Sequence, residues 1–452
     1  MKTISKKMSL LEKVSYGAGN MGICLATTAI TAFVMYFYTD VIGIGLIQVG
    51  TIMLIGGIAD AISDAVMGVI VDHTNTRWGK CRPYLLFGAI PMAVFCFFVF
   101  RVPDASATVK YIYALVTYVL YILAYTAVLI PQNVLITAIT DDQKDRLATN
   151  MFGTLGTNLG QLIPNALALT LVAVLGGGDE YSGYGKTILI FVVIGAALLF
   201  MDGKNTRERM NMTGPQKISI ADTIRSMKNV PWIICTVTTL LVIASIVIKS
   251  STTVYFAVNV LNSPGIASTL LSIANVIGIP VTLIIPFVAE KIGKRNLVWT
   301  GCIFGFIGSV GIHFFKESIL MVIVMSSLAS IGVAFINGII YVMCAESVDY
   351  GEWKYKVRVQ GFLMAFIGFA VKVSTSFVSM ISTAIMNAGG YVGSAETQTA
   401  SAVNAIEFCY VGIPAILFVV IFIVNIFYKL DKMYPQIQTE LGLRRVAVNQ
   451  GE

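Results

Sequence analysis

Charged residues are scarce in this chain. Only 12% of its 452 residues are Asp, Glu, Lys or Arg, whereas 56% are hydrophobic. Soluble domains carry roughly one-quarter charged residues, so this composition excludes an ordinary soluble protein. Apolar stretches of about 20 residues, the length that a helix needs to cross the hydrocarbon core of a bilayer, instead recur along the chain. The sequence therefore predicts a polytopic membrane protein.

Cysteine and histidine are too few and too scattered to form a reactive or metal-binding cluster. The seven cysteines include no CxxC pair and lie mostly inside apolar stretches, which argues against disulfides and against a redox or zinc site. His73 and His313 are far apart in the chain, and neither is paired with a nucleophile. We therefore expect neither an enzyme nor a bound cofactor.

Basic residues are unevenly distributed between the loops. Few of them fall in the odd-numbered loops, namely Arg101, Lys110, Lys186 and Lys316, whereas the even-numbered loops and both termini are rich in Lys and Arg. The positive-inside rule then predicts that both termini face the cytoplasm. The net charge of +7 follows from this topology and from contact with anionic lipid, so no nucleic-acid partner is expected. The basic N-terminal segment has no small-residue cleavage site, which indicates a permanent anchor rather than a removed signal peptide.

Twelve apolar stretches are divided six and six by a polar segment. We predict an N-terminal six-helix half at 1–202, a cytoplasmic linker at 203–230, a C-terminal six-helix half at 231–430 and a cytoplasmic tail at 431–452. The loop DHTNTRWGKCRPY after the second stretch has a weak counterpart, EKIGKRN, after the eighth. Internal repeats of this kind occur in transporters whose halves rock about a midplane site. The fold class is therefore an all-α membrane protein with twelve transmembrane helices.

Two acids lie in the middle of the second apolar stretch. Asp60 and Asp64 are one helical turn apart, with no Lys or Arg within a turn of either. An acid at this depth costs several kcal/mol unless it meets a cation, a proton or a water-filled cavity. Because i, i+4 spacing places both carboxylates on one helix face, we expect them to bind a small monovalent cation or a proton.

The fourth apolar stretch offers further oxygen ligands. Pro131 frees a backbone carbonyl about one turn earlier, near Ala127, and Thr126 has a hydroxyl close by. Together with Ser63, these groups would complete the oxygen shell that a hard cation prefers around Asp60 and Asp64. The alternative is a purely structural pair of protonated, hydrogen-bonded acids.

Lys372 lies about 12 residues inside the predicted eleventh span, which is roughly 18 Å from its end at 1.5 Å per residue. A buried ammonium group needs an acid, and Asp60 and Asp64 are the acids at comparable depth. We predict that Lys372 pairs with them across the two halves and is released when the cation binds, which would couple cation binding to the movement of the halves.

Amides and hydroxyls in the apolar stretches predict a water-filled cavity for a ligand rich in hydroxyl groups, because an unsatisfied buried amide is costly. Each of them alone is also typical of a contact between helices. Lys249 is either an interfacial anchor or a charge that faces an anionic substrate. The predicted substrate-binding residues are Asn20, Thr27, Gln132, Asn133, Asn150, Asn158, Gln161, Lys249 and Asn337.

Three segments resemble one transporter family. They are KVSYGAGNMG with MYFYTDVIG in the first span, DAISDAVMGVIVDHTNTRWGKCRPYLLFG around the second, and VDYGEWKYKVR before the eleventh. They are similar to the glycoside–pentoside–hexuronide:cation symporters of the major facilitator superfamily, the group of melibiose permease and the glucuronide carrier. The resemblance implies sugar uptake driven by a sodium, lithium or proton gradient. It also implies that Asp60 and Asp64 are the cation carboxylates, Ser63 and Thr126 accessory ligands, and Lys372 the coupling lysine.

The sugar-binding positions of melibiose permease are not kept here. Its two sugar-binding aspartates correspond to Cys24 and Leu129, its aromatic contact corresponds to Asn133, and an arginine expected near Met151 is missing. Galactoside specificity therefore does not carry over, and both a uronide and a neutral glycoside are compatible. We expect a cation-coupled symporter of a sugar, glycoside or hexuronide in the bacterial cytoplasmic membrane. The alternative is a cation-linked carrier of another amphipathic solute such as a lysolipid.

Overall fold

Thirteen helices make up the regular structure of the described part of the chain. The computed structural model describes residues 8–140, 142–209, 228–355, 360–393, 395 and 397–450. In chain order the helices are α1 (Leu10–Tyr36, continued by a π-helical turn at Phe37–Val41), α2 (Leu46–His73), α3 (Arg82–Val99), α4 (Ala107–Ile139), α5 (Gln143–Gly176), α6 (Glu180–Asn205), α7 (Val230–Asn259), α8 (Ile266–Ile292), α9 (Lys294–Phe314), α10 (Ile319–Tyr355), α11 (Gln360–Ala388), α12 (Ala400–Ile426, with a π-helical turn at Phe408–Gly412) and α13 (Leu430–Gln450).

Helices α1–α12 supply the membrane spans. Within the described residues, eleven helices are long and apolar enough to cross a bilayer, and α8 is the twelfth when its two arms are taken as one span. The arms, Ile266–Val281 and Leu283–Ile292, meet at 60°. Pro286 causes this bend, because it cannot donate a hydrogen bond to the carbonyl four residues earlier and its ring crowds that carbonyl. The predicted all-α membrane fold is confirmed.

Large apolar side chains are exposed on the outer faces of the spans. Ile62, Val174, Leu283 and Phe287 each expose more than half of their surface. A soluble protein rarely exposes contiguous apolar surface of this kind, whereas the hydrocarbon of a bilayer solvates such a surface well. Hydrocarbon also requires the backbone polar groups to be paired, and helices pair them internally. The chain is therefore a multi-pass membrane protein.

Two compact units are distinguished by packing. The first contains the described residues up to 209 together with 250–275 and 379–406, and the second contains the described residues of 228–249, 276–378 and 407–450. The first unit thus includes the C-terminal ends of α7 and α11. The predicted boundary at 203–230 remains a prediction, and its central residues, 210–227, lie outside the described part.

Helix α1 is the most buried span of the first unit, and glycines set its spacing from α5 and α6. A Cβ atom on Gly156 of α5 would overlap the carbonyl oxygen of Gly17 in α1, and one on Gly22 of α1 would lie 2.5 Å from the carbonyl oxygen of Gly195 in α6. Small residues at such contacts let helix backbones approach closely. The polar residues of α1 are thereby brought against α4, α5 and α6.

The segment after α6 closes one end of the first unit. The carboxylate of Glu208 accepts hydrogen bonds from the backbone N–H groups of Lys80, Cys81 and Arg82 at 2.7, 2.8 and 3.1 Å. These N–H groups lie at the N-terminus of α3, where backbone donors lack a partner within the helix itself and a negative charge is stabilising. Glu208 therefore fastens the chain after α6 to the α2–α3 loop.

The second unit has an apolar core and a docked terminal helix. Trp232, Leu297 and Ile340 are among its buried core residues. Helix α13 is held by a hydrogen bond from Trp353 Nε1 to Glu440 at 2.6 Å and one from Tyr434 to Asp349 at 2.9 Å. The polar tail predicted at 431–452 is thus helical over its described part and packs against α10.

Candidate functional site

The acids of α2 face α4 because a glycine lets the two helices meet. The ring of Tyr118 in α4 lies against the backbone of Gly56 in α2, in the space that a Cβ atom would occupy. Gly56 is one helical turn before Asp60, so Asp60 projects toward the next turns of α4. The contact between these two helices, which the sequence could not establish, places the predicted oxygen ligands within reach of one another.

Three of the four predicted cation ligands are linked by hydrogen bonds. The hydroxyl of Thr126 donates to Asp60 Oδ1 at 2.9 Å, and the hydroxyl of Ser63 lies 3.0 Å both from Thr126 Oγ1 and from the backbone oxygen of Asp60. Thr126 is buried, whereas Asp60 and Ser63 are half-buried. The cluster is therefore an array of hard oxygen atoms around one carboxylate. We call it the oxygen cluster.

Asp64 lies one turn further along α2 and is also half-buried, with its Oδ1 atom shielded from solvent. The nearby Tyr125 of α4 interacts electrostatically with both Asp60 and Asp64. Oxygen ligands of this type suit hard cations, and the residues present therefore fit a small monovalent ion. Sequence reasoning missed Tyr118 and Tyr125, although their seven-residue spacing places them on one face of α4.

Two of the predicted substrate-binding amides converge on one carbonyl group. Asn20 Nδ2 and Gln132 Nε2 both donate to the backbone oxygen of Tyr16, at 2.9 and 3.3 Å. Gln132 is fully buried and Asn20 half-buried. Thr27 donates to the carbonyl of Ile23 at 2.9 Å. Gln132 thus connects α4 to α1, whereas Asn20 and Thr27 bond within α1. Of the two amides, Asn20 is the more exposed.

The remaining predicted amides of the first unit are more accessible. Asn133 of α4 and Asn150 of α5 are exposed, and Asn158 and Gln161 of α5 are half-buried. These side chains are therefore available to a solute. Asn165, by contrast, is buried and donates to the carbonyl of Leu271 in α8 at 3.3 Å, so it connects two helices.

Lys249, Asn337 and Lys372 belong to the second unit. The ammonium group of Lys249 lies 5.4 Å from the centre of the Tyr410 ring, a cation–π distance. The Oδ1 atom of Asn337 is buried and has no hydrogen-bond partner within the described residues. The backbone oxygen of Lys372 accepts hydrogen bonds from Thr375 and Ser376 at 2.8 and 3.1 Å. The predicted pairing of Lys372 with Asp60 and Asp64 stays a prediction.

Sequence reasoning also missed a polar cluster at the far end of α1. Tyr391 donates to Asp40 Oδ1 at 2.5 Å, Thr39 donates to Asp40 Oδ2 at 2.6 Å, and Thr39 Oγ1 and Tyr255 Oη are 2.6 Å apart. Burial raises the pKa of Tyr391, and the nearby Asp40 raises it further, so the phenol stays protonated and can donate. This far-end cluster joins α1 to the C-terminal end of α7 and to the loop after α11.

Comparisons with known proteins agree with this architecture. The family model described as MFS/sugar transport protein matches residues 15–432. The chain is 34% identical over 444 residues to the isoprimeverose transporter of Lactiplantibacillus pentosus, covering 97% of this chain and 92% of the relative. It is 29% identical to a putative glycoside/cation symporter of Escherichia coli (strain K12), covering 99% of this chain and 97% of that protein. The resemblance to the glycoside–pentoside–hexuronide:cation symporters is confirmed.

Solved structures support the fold. The chain is similar, with a TM-score of 0.67 and 14% sequence identity, to a bacterial homologue of the human lysosomal transporter Spinster. The similarity covers 94% of this chain and 97% of that one. At 14% identity the match concerns the arrangement of the helices alone.

Proposed function

The chain belongs to the MFS/sugar transport protein family, and on this premise we propose that it is a symporter that takes up a glycoside together with a monovalent cation. The observation that carries the proposal is the oxygen cluster, in which Thr126 and Ser63 bring hydroxyl groups to Asp60. A half-buried carboxylate next to hydroxyl oxygens is unfavourable in a helix that faces only lipid, but it is a suitable binding site for a hard cation.

The cation compensates the charge of the acids of α2. An uncompensated carboxylate in a membrane interior costs several kcal/mol, so the form that holds a cation can adopt occluded arrangements that the empty form disfavours. When glycoside binding also requires the cation-loaded form, the two solutes move together. Sodium, lithium and the proton are the candidate ions, and Asp64 and Lys372 are proposed to take part in loading and coupling.

The solute is proposed to be a glycoside with hydroxyl groups that the accessible amides of α4 and α5 can bind. Asn133, Asn150, Asn158 and Gln161 retain exposed surface, and amides both donate to and accept from hydroxyl groups. The Lys249 ammonium lies over the face of Tyr410 and thus already has an interaction, so the proposed solute needs no anionic group. The relatives named above give a lysolipid carrier no support.

Transport requires the solute to reach its site from one side at a time. The basic termini and even-numbered loops favour a cytoplasmic position for both termini, and in that orientation the far-end cluster lies on the opposite, outer side. In this orientation the hydrogen bonds of Asp40 hold the outer ends of α1 and α7 together. We propose that it works in the bacterial cytoplasmic membrane, and its family model and the relatives named above are those of transporters.

Uptake into vesicles tests this function. The purified protein is reconstituted and given isoprimeverose, other neutral glycosides, pentosides and uronides, with sodium, lithium and proton gradients imposed in turn. We expect a neutral glycoside to accumulate about tenfold or more above its external concentration with one cation, and not without a gradient.

Two variants and a matched control assign the coupling to α2. Asp60→Asn and Asp64→Asn remove the negative charge with little change of size, and each is expected to abolish accumulation. Asp104→Asn makes the same change at an exposed acid that pairs with Lys110 at 3.2 Å, and it should accumulate glycoside as the parent does. Accumulation against a gradient by both α2 variants would refute the cation assignment.

A further inference from the structure

A third acid of the first unit is buried more deeply than those of α2. Asp202, near the C-terminal end of α6, is 0% exposed. Its carboxyl group fills the space beside the backbone of Gly19 in α1, because a Cβ atom on that glycine would overlap it. Asp202 therefore lies in the packed interface of α1 and α6, and neither the oxygen cluster nor the amides of α5 account for it.

The carboxyl oxygens of Asp202 are not satisfied by the described residues. Neither Oδ1 nor Oδ2 has a hydrogen-bond partner there. The Gln132 amide and the Thr206 hydroxyl lie near enough to interact with the carboxyl group, but their hydrogen bonds of good geometry go elsewhere: Thr206 donates to the backbone oxygen of Asp202 at 2.6 Å, and Gln132 donates to the carbonyl of Tyr16 at 3.3 Å. The Oε1 atom of Gln132 is also buried without a partner. The donors nearest the carboxyl group thus make their hydrogen bonds to backbone oxygens.

Within the described residues, Arg82 is the charged group of opposite sign that acts on Asp202, and Arg82 is itself attracted by Glu208 and repelled by Arg207. From α3, Arg82 interacts electrostatically with the acid, while Tyr16 of α1 and Gln132 of α4 are its neutral neighbours. The Arg82 guanidinium donates to the backbone oxygens of Gly203 and Lys204 at 2.8 and 3.3 Å. These are the next two residues after Asp202, so the guanidinium is bound to the adjoining backbone.

The observed arrangement favours the neutral form of Asp202, and a small movement of Arg82 would favour the ionised form. A buried carboxylate without donors is costly, and binding a proton removes its charge and supplies the missing donor. If Arg82 moves from the Gly203 carbonyl to the carboxyl group, the ionised form instead gains a charge-assisted pair. Two states with different proton occupancy are therefore available, and each has its own partner.

We propose that Asp202 is a proton-binding site, distinct from the oxygen cluster, which is loaded in the buried arrangement and releases its proton when Arg82 pairs with the carboxylate. On release the O–H bond breaks, the electron pair stays on the carboxylate oxygen, and the proton passes to water at the α3 end of the unit. The inference rests on the proposed transport function only for its role in the cycle, since proton binding itself is a property of the resting protein.

Infrared spectroscopy tests the protonation directly. The full-length protein in lipid nanodiscs should show the carbonyl stretch of a protonated carboxyl group at neutral pH. This band should be absent from the spectrum of Asp202→Asn, so that it appears in the parent-minus-variant difference spectrum. It should be kept in the spectrum of the exposed-acid control Asp104→Asn. In Arg82→Gln, which lacks the partner of the ionised form, the band should persist to a pH at least one unit higher. A parent spectrum whose band is unchanged by Asp202→Asn would overturn the proposal.

Transport measurements test the role of this proton. Net glycoside uptake by Asp202→Asn is expected to lose most of its dependence on pH. At one end of the pH range, its uptake should therefore differ at least several-fold from that of the parent. Exchange of glycoside between equal solutions should be retained. A parent-like pH profile in Asp202→Asn would overturn the role in the cycle, and Arg82→Gln gives an independent reading should the Asn variant misfold. Absence of any glycoside uptake by the parent would instead refute the proposed function and leave the infrared result standing.

Discussion

At the scale of single residues, Thr126 decides whether the oxygen cluster contains groups from more than one helix. Its hydroxyl is the α4 group that reaches Asp60 Oδ1, at 2.9 Å, and it also accepts a hydrogen bond from Ser63. Removing this oxygen takes away the hydroxyl contact between α4 and the Asp60 carboxylate. A cation bound by the cluster would then lose one ligand and the link to α4.

Thr126→Val keeps the shape of the side chain and removes its hydroxyl. We expect the cation concentration for half-maximal uptake to rise about tenfold, which corresponds to about 1.4 kcal/mol, because a ligand to a charged group is lost. Thr126→Ser retains the oxygen and should remain close to the parent. Thr117→Val is the matched control, since the Thr117 hydroxyl bonds to the Tyr113 carbonyl at 2.8 Å within α4. Unchanged cation dependence in Thr126→Val would remove Thr126 from the site.

At the scale of helices, the close approach of α1 and α5 determines where the polar residues of both helices lie. Gly156 and Gly17 meet backbone to backbone, and a Cβ atom on Gly17 would lie 2.5 Å from the carbonyl oxygen of Phe152. Overpacking a tight contact costs about 1–3 kcal/mol because the backbones must separate. The interface therefore depends on residues without side chains.

Gly156→Ala should separate the two helices and lower the Tm of the purified protein in detergent. Gly68→Ala of α2 is the matched control, since a Cβ atom there has nothing within 4 Å. Alanine is favoured over glycine in a helix by about 0.5–1 kcal/mol, so the control should melt at the same temperature as the parent or slightly higher. Equal Tm values for the two variants would show that the α1–α5 contact is not limiting.

At the scale of the whole molecule, the far-end cluster joins parts that are distant in the sequence. Asp40 and Tyr391 are 351 positions apart, and Thr39 and Tyr255 are 216 apart. A hydrogen bond to a charged group contributes about 1.5–3 kcal/mol. A bond of this kind that forms in one conformation and not in the other shifts the equilibrium toward the conformation that has it. In the proposed orientation, these bonds favour the state that is closed on the outer side.

Tyr391→Phe removes the donor to Asp40 Oδ1 and keeps the ring that packs against Tyr255 at 5.5 Å. We expect backbone amides of Phe37–Val41 to exchange with deuterium about tenfold faster, because the end of α1 opens more often. Hydrogen exchange followed by mass spectrometry measures this rate. Tyr111→Phe, at the start of α4 and outside the cluster, should leave it unchanged. Parent-like exchange in Tyr391→Phe would show that the cluster does not hold this end closed.

The all-α membrane architecture and the acids of the second span follow from the sequence alone. Apolar runs of span length need no tertiary information, because the bilayer selects helices by length and hydropathy. Asp60 and Asp64 were recognisable because a charge inside such a run is unusual, and their spacing fixes a shared face. Thr126 and Ser63 were predicted as their partners, and the contact between α2 and α4 brings them together. That they bind a cation stays a prediction.

Other features depended on the tertiary structure because they combine residues without local pattern. Asp202 stands at the end of a predicted span, where an acid is usually solvated, and only the packing of Gly19 against it shows that it is buried. The partners of Asp40 come from distant parts of the chain, and no spacing rule links them. Gln132 was predicted to bind the substrate, yet its hydrogen bond is made to a neighbouring helix. The sequence determined which groups are too polar for lipid, and the packing of helices decided which of them meet.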